Sequence, residues 1–167
     1  GRAGIAFLDK EKMAAAVAEA KKQADIVIVS MHAGTEYIYT PMEEQTSFAR
    51  AAIDAGADMV IGHHPHVVQQ MEKYNGKYIF YSLGNFIFDQ MWSLPTRQGI
   101  ALKIVFTKQG VKNIEIAPVL IDDYCQPHIL DYGSAKDILA RLDFDLLAEQ
   151  IRVYGEPATG AAAPAGE

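Results

Sequence analysis

The spacing of apolar runs in the first part of the chain does most to limit the folds that it can adopt. Residues 5–8 and 26–31 form short apolar runs, and the second is rich in β-branched residues, as is typical of a parallel strand buried on both faces. Apolar residues at helical spacing follow each run, and a third run occupies residues 59–61. The pattern predicts β-α-β-α-β, and crossovers of this length give an α/β fold with a parallel sheet covered by helices.

Capping residues delimit the predicted helices. Asp9 is a good N-cap for the first helix, and Gly56 is a natural C′ residue for the second. Ser134 and Asp137 resemble a capping box, which predicts a last helix over residues 134–151.

Turn signals change the pattern in the second half of the chain. Asn75 and Gly76 are the preferred pair for a two-residue type I′ turn, and a second hairpin is expected to turn near Gly110. The four strands of these hairpins are expected at residues 67–74, 77–83, 99–106 and 111–119. The sheet should therefore become mixed or acquire an antiparallel companion.

The composition bounds the domain and its partners. Residues 155–167 are rich in Ala, Gly and Pro, so we expect a flexible tail behind a structured region at residues 1–154.

Lys and Arg number 15 against 21 Asp and Glu, a net charge of −6, which argues against nucleic acid as a partner. No apolar run approaches the roughly 20 residues that span a bilayer, so we expect a soluble chain without a membrane segment. The single cysteine, Cys125, excludes an intrachain disulfide.

Histidines are concentrated where an α/β protein binds ligands. Four of the five directly follow two of the predicted strands: His32, His63, His64 and His66. In open α/β sheets, ligands bind outside the carboxyl ends of the parallel strands. We therefore expect these side chains to meet in one cleft.

His64 and His66 are two residues apart, and this spacing indicates a metal site. Pro65 disfavours a helical conformation at His64, so the segment from His64 to His66 is expected to be extended, with both imidazoles aimed to one side. Neutral imidazole suits Zn, Fe or Mn, and a third nitrogen from His32 would leave positions open for water or substrate.

Positive charge is concentrated in the hairpin region. Between Lys73 and Lys112 there are six bases and one acid, Asp89. Lysines on hairpins are usually only the solvated face, but Arg97 is the best candidate for bidentate contact with a polyglutamate or phosphate group.

Several spaced motifs occur together and in order. They are MHAGTEY at residues 31–37, GHHPHV at residues 62–67 and YSLGNF at residues 81–86. The chain closely resembles, over about residues 4–121, the bacterial poly-γ-glutamate capsule-synthesis family, often called CapA. That family is similar to the calcineurin-like metallophosphoesterases, which implies a mixed β-sandwich flanked by helices and a site for two divalent metals.

The resemblance implies roles for individual residues. His32, His64 and His66 look like metal ligands, and His63 occupies a variable place. Asn85 could hydrogen-bond substrate or support the site, or it could be a turn residue. The catalytic candidates are thus His32, Asn85 and Arg97. Glu36 and Asp89 could orient a ligand imidazole or transfer protons, or could be ordinary loop carboxylates.

One part of the family pattern has no counterpart here. The family's amino-terminal half supplies a Gly-Asp motif and an Asn-His motif that complete the paired metal site. We therefore expect this chain to be the carboxyl-terminal part of a longer protein. Its missing amino-terminal half would then be its partner, and its metal site would be partial.

Three functions remain open. The first is a metal-dependent, metallophosphoesterase-like enzyme of poly-γ-glutamate capsule or exopolymer biosynthesis, catalytically incomplete in this chain and acting on an anionic polymer or phosphoester. The second is a non-catalytic module of a polymer assembly or export complex. The third is a mononuclear zinc hydrolase that uses His32, His64 and His66. The resemblance implies work at the cell envelope.

Overall fold

The computed structural model describes residues 4–143 and 150–156. Its elements, in chain order, are α1 (Lys10–Ala20), β1 (Ile28–His32), α2 (Glu43–Asp54), β2 (Met59–His63), β3 (Met71–Tyr74), β4 (Lys77–Phe80), α3 (Leu94–Arg97), β5 (Gln98–Thr107), β6 (Gly110–Asp122), β7 (Gln126–Ile129), α4 (Lys136–Arg141) and β8 (Ile151–Val153). None of the helices in these two ranges is long and apolar enough to cross a membrane.

The first sheet has the strand order β1-β2-β4-β3. β1, β2 and β4 run parallel, and β3 is antiparallel to β4. Because β1 and β2 are parallel and α2 forms the crossover between them, their carboxyl ends meet at one edge of the sheet. The predicted mixed α/β fold is confirmed.

Side-chain alternation in β2 divides the core into two layers. Val60 packs with Phe48 of α2 on one face of the sheet. Met59 packs on the opposite face, in a cluster that includes Ile116 of β6. Successive residues of a strand point to opposite faces, so β2 lies between the helical layer and the second sheet.

The second sheet is built on the long antiparallel pair β5 and β6. β7 and β8 pair with successive parts of the other edge of β6. The two sheets are joined where Gly84 pairs with Gly99 and where the Ile100 amide donates to the Leu83 carbonyl at 2.9 Å. A side chain at Gly99 would collide with the Asn85 carbonyl. This junction fixes the position of Asn85.

The predicted strand at residues 5–8 does not form. The segment is irregular, and the side chains of Ile5 and Phe7 are 81% and 83% exposed. It lies across a cavity of about 640 Å³ from β1, and among the described strands β1 pairs only with β2. An apolar run has strand propensity, but a strand also needs a hydrogen-bonding partner.

The predicted last helix, over residues 134–151, forms only in its first part. α4 ends at Arg141, and Asp143 has a φ of +55°, which ends the helical conformation. The Ser134 hydroxyl donates to Asp131 at 2.7 Å instead of capping the helix. Ile151 begins β8, whose apolar side chains enter the core beside β6. Most of the predicted tail, residues 157–167, lies outside the described residues.

Both predicted hairpins are present. β3 and β4 flank Asn75 and Gly76, whose φ angles are +46° and +75°. Positive φ at both positions identifies the type I′ turn that the sequence predicts.

Replacing Gly76 with Val tests this turn. A Cβ at this position meets no atom within 4 Å, so the cost comes from the left-handed backbone alone. We expect a loss of about 1–2 kcal/mol in the free energy of unfolding, measured by urea denaturation. Gly76→Asn is the control and should lose less, because Asn tolerates this conformation. Equal stability of the Val variant and the parent chain would contradict the assignment.

Candidate metal centre

The parallel pairing of β1 with β2 brings His32 and the His63–His66 segment together. His32 is the register partner of His63, and the Ala33 amide donates to the His63 carbonyl at 3.0 Å. His32 Nε2 lies 3.2 Å from His64 Nδ1, and the ring centroids are 4.9 Å apart. The two rings therefore share one cleft at the end of the sheet, as the strand order predicts.

The segment from His64 to His66 is not extended, contrary to the sequence-based expectation. His64 has a φ of +107° and His66 a φ of +58°. Pro65 excludes the right-handed helical conformation of the preceding residue, but tertiary contacts decide among the remaining conformations. The Pro65 carbonyl accepts a 2.8 Å bond from the Tyr37 amide, which holds the turn against the loop after β1. The rings of His64 and His66 are still only 6.0 Å apart.

Gly62 allows β2 to pass close to the chain that leaves β4. A Cβ there would collide with the backbone carbonyl of Tyr81, and the Gly62 carbonyl accepts from the Leu83 amide at 3.2 Å. The glycine before the histidines is therefore required by close packing against the chain that leaves β4.

Asn85 supports His66. Asn85 Oδ1 lies 2.9 Å from His66 Nδ1, and Asn85 Nδ2 donates to the Thr96 carbonyl at 2.9 Å. Because a carbonyl only accepts, the Thr96 contact fixes the amide orientation and leaves Oδ1 as the acceptor toward His66. His66 Nδ1 then carries the hydrogen, and in the neutral ring Nε2 is free to bind a ligand.

Buried amides hold the loop that connects β1 to α2. Gln45 Oε1 accepts from the Met42 amide at 2.9 Å, and Gln45 Nε2 donates to Gln69 Oε1 at 3.0 Å. Gln69 Nε2 in turn donates to the Ile38 carbonyl at 2.8 Å. A Cβ at Gly34 would collide with the Gln45 amide, and Gly34 has a φ of +111°. The loop beside the histidines is therefore fixed by packing.

Arg97 does not contact the histidines and is bonded to the end of β6. Its guanidinium donates to the Ile121 carbonyl at 3.0 Å and contacts the Asp122 carboxylate at 3.3 Å. His128 also pairs with Asp122, at 2.6 Å. These bonds hold α3 against β6 and do not bring Arg97 to the histidines.

Aromatic side chains lie around the histidines. From the sequence, Tyr37, Tyr39 and Trp92 could line a pocket or belong to the core. The ring of Phe88 lies 4.9 Å from that of His66, and Tyr37 packs edge-on against Trp92 at 6.1 Å. Trp92 is 66% exposed, so these rings line the mouth of the cleft. Their spacing in sequence carries no periodic signal, because they come from two separate loops.

Glu36 also reaches this cleft. Its Oε1 atom lies 3.8 Å from His66 Nε2. The ligand atoms of Glu36, His64 and His66 all lie within 4.8 Å of one another. From the sequence, Glu36 could orient a ligand imidazole, transfer protons or be a loop carboxylate, and its contact with His66 is 30 residues away in the chain.

Burial lowers the pKa of two of the histidines and so favours their neutral form. Desolvation lowers the pKa of His32, and the neighbouring His64 and His66 lower it further. Desolvation also lowers the pKa of His63, with a smaller contribution from His32. Neutral imidazole is the form that binds a metal ion.

The fold and the cleft together define a class: an α/β protein with two sheets and a histidine cluster at the carboxyl ends of parallel strands. The family model described as "Bacterial capsule synthesis protein PGA_cap" matches residues 1–90. The chain belongs to this bacterial capsule-synthesis family, which confirms the resemblance.

Individual relatives agree with this assignment. The chain is similar to the PGA biosynthesis protein CapA of Bacillus subtilis, at 46% identity over 120 residues, which cover 72% of this chain and 31% of the relative. It is similar to the capsule biosynthesis protein CapA of Bacillus anthracis, at 37% identity over 131 residues, which cover 78% and 29%. A probable polyglutamine synthesis accessory protein of Mycobacterium tuberculosis is 42% identical over 79 residues, which cover 47% and 21%. The match thus spans less than a third of the length of each of these relatives.

Replacing Gly62 with Ala tests the packing under the cleft. Because the added methyl group meets backbone atoms of Tyr81, the strand ends must separate. We expect a loss of about 1–3 kcal/mol in the free energy of unfolding, measured by urea denaturation. Gly4→Ala is the control, since a Cβ at Gly4 meets nothing within 4 Å. Equal stability of the two variants would show that the strand ends can accommodate the added methyl group without strain.

The lowered histidine pKa values predict acid sensitivity in metal-free protein. The ordinary histidine pKa is 6.5, so below this pH the unfolded chain binds protons that folded His32 and His63 do not. The free energy of unfolding should therefore fall as the pH drops from 7.5 to 5.5, a window above the range in which carboxylates titrate.

Urea denaturation with a chelator present measures this slope. His63→Gln removes one of the two groups and should make the slope shallower. A free energy of unfolding that is constant or higher at pH 5.5 would show that these histidines are not held neutral.

Proposed function

We propose that this chain is the metal-binding part of a metallophosphoesterase-like enzyme of poly-γ-glutamate capsule biosynthesis. The observation that carries the proposal is the distance of 3.2 Å between His32 Nε2 and His64 Nδ1. Two nitrogens that bind one ion at roughly 2.0–2.1 Å lie about 3.0–3.4 Å apart. The donor pair therefore fits a divalent metal. His66, whose ligand atom lies within 4.8 Å of those of His64 and Glu36, is the further nitrogen that we propose.

The hydrogen bonds around His66 agree with its proposed role as a metal ligand. A ligating imidazole commonly donates its other N–H to a neighbouring oxygen, which fixes the ring, and Asn85 accepts from His66 in this way. Asn85 itself is 7% exposed and held by Thr96 and Gln90. Asn85 is thus a positioning residue in the proposal, which corresponds to one of the roles open from the sequence.

The donor set suits Mn, Fe or Zn. A bound divalent ion would supply an activated water or polarise a phosphoryl or amide oxygen. The residues of this chain would hold that ion and orient the imidazoles. In the longer protein we propose a paired metal site, of which this chain holds a part.

The substrate that we propose is an anionic polymer or a phosphoester. The names of the Bacillus relatives support the capsule context. Arg97 remains a proposed contact for an anionic group, because its bonds to Ile121 and Asp122 use two of the five guanidinium N–H donors. Work at the cell envelope is part of the same proposal.

The rest of the longer protein is the proposed structural partner. Among the described strands β1 pairs only with β2, and its other edge faces the cavity lined by residues 5–9. An unpaired strand edge can accept a further strand. His32 also lines this cavity, so an added segment would reach the metal centre.

Calorimetric titration of Mn²⁺ or Zn²⁺ tests the metal assignment. We expect His32→Ala, His64→Ala and His66→Ala each to weaken binding more than about tenfold, because each removes a nitrogen ligand. His128→Ala is the matched control, since His128 pairs with Asp122 on β6, and it should bind as the parent chain does. Equal affinity in all five proteins would refute the ligand assignment.

Turnover separates the enzyme from the non-catalytic module. Metal-dependent hydrolysis of a chromogenic phosphoester that disappears in His64→Ala supports the enzyme. Metal binding without turnover, both in this chain and in the longer protein, favours the module.

A further inference from the structure

Glu36 is held against the histidine segment by the backbone. The next residue, Tyr37, donates its amide to the Pro65 carbonyl at 2.8 Å. Pro65 lies between His64 and His66, so this bond places the Glu36 side chain next to both. Tyr37 has a φ of +64°, an uncommon conformation for a non-glycine residue that costs energy unless its surroundings enforce it.

The hydrogen-bond network leaves two acceptors facing each other. The Thr96 carbonyl fixes the Asn85 amide, and Asn85 Oδ1 then places the hydrogen of the neutral His66 ring on Nδ1. His66 Nε2 therefore presents a lone pair toward Glu36 Oε1, at 3.8 Å. A lone pair and a carboxylate repel, so the arrangement calls for a cation or a proton between them.

His64 completes a compact set of donors. One ligand atom from each of Glu36, His64 and His66 lies within 4.8 Å of the other two. Two imidazoles and one carboxylate form a ligand set that is common in catalytic metal sites with positions left open. A proton shared between Glu36 and His66 would explain their contact but gives no role to His64.

We propose that Glu36 is the carboxylate ligand of the metal centre and binds the same divalent cation as His64 and His66. This inference rests on the proposed function and adds an oxygen donor to the three histidines. An anionic oxygen suits Mn²⁺ more than it suits Zn²⁺, for which imidazole is already a good ligand. Glu36 therefore tunes the site toward manganese.

The test is a comparison of Glu36→Gln with the parent chain. The substitution keeps the size of the side chain and removes its charge. We expect the affinity for Mn²⁺, measured by calorimetric titration, to fall more than about tenfold, and the affinity for Zn²⁺ to fall less. The rise in melting temperature that Mn²⁺ causes in the parent chain should shrink in parallel.

Two controls separate the possible outcomes. Glu44→Gln alters an exposed glutamate in the first turn of α2 and should bind both metals as the parent chain does. His66→Ala should weaken both metals. If His66→Ala weakens binding and Glu36→Gln does not, the inference is overturned while the proposed metal centre stands.

Failure of the parent chain to bind either metal would overturn the inference and the proposed metal centre together. A Glu36→Gln variant that only melts at a lower temperature without metal, with its affinities unchanged, would identify the contact as an ion pair with His66. That result also overturns the inference.

Discussion

The parallel register of β1 and β2 is the constraint on which the histidine cleft depends. It pairs His32 with His63, and the side-chain period of a strand is two residues, so a shift of one residue would turn every side chain to the other face. The burial of Val60 among the helices and of Met59 toward the second sheet resists such a shift. The hydrophobic core therefore sets the separation of two imidazoles that lie at its border.

The sequence predicts the local parts of this structure well. The β-branched run of β1, the capping residue Asp9 and the Asn75–Gly76 turn each act over a few residues, and each has the predicted conformation. The expected burial of β1 on both faces is wrong, because only Met31 of this strand is fully buried. Residues 5–8 have the propensity of a strand but no partner in the described structure. At the last predicted helix the error has another cause, because Ile151 is better buried in a strand beside β6 than in a helix that continues past Asp143.

The candidate site is less predictable because its contacts are distant in the chain. The strand ends indicate that His32 and His64 meet, which needs only the parallel topology. His64 has a positive φ, and the turn that it begins is held by the bond between the Tyr37 amide and the Pro65 carbonyl. The contact of Asn85 with His66 depends on the junction of the two sheets, and the position of Glu36 depends on one backbone bond to Pro65. No pattern in the sequence reports these three contacts.

The free edge of β1 has a consequence for handling the protein. Ile28 at this edge is 43% exposed, and the apolar side chains of Ile5 and Phe7 lie close to the same surface. A strand edge with unpaired amides and carbonyls, beside exposed apolar groups, is a template for intermolecular β-sheet. At high concentration a second copy of this chain would be able to pair with that edge, which has no partner among the described strands. The tendency of the chain to self-associate in solution therefore reports whether the edge of β1 is paired. This readout does not depend on any chemistry at the histidines.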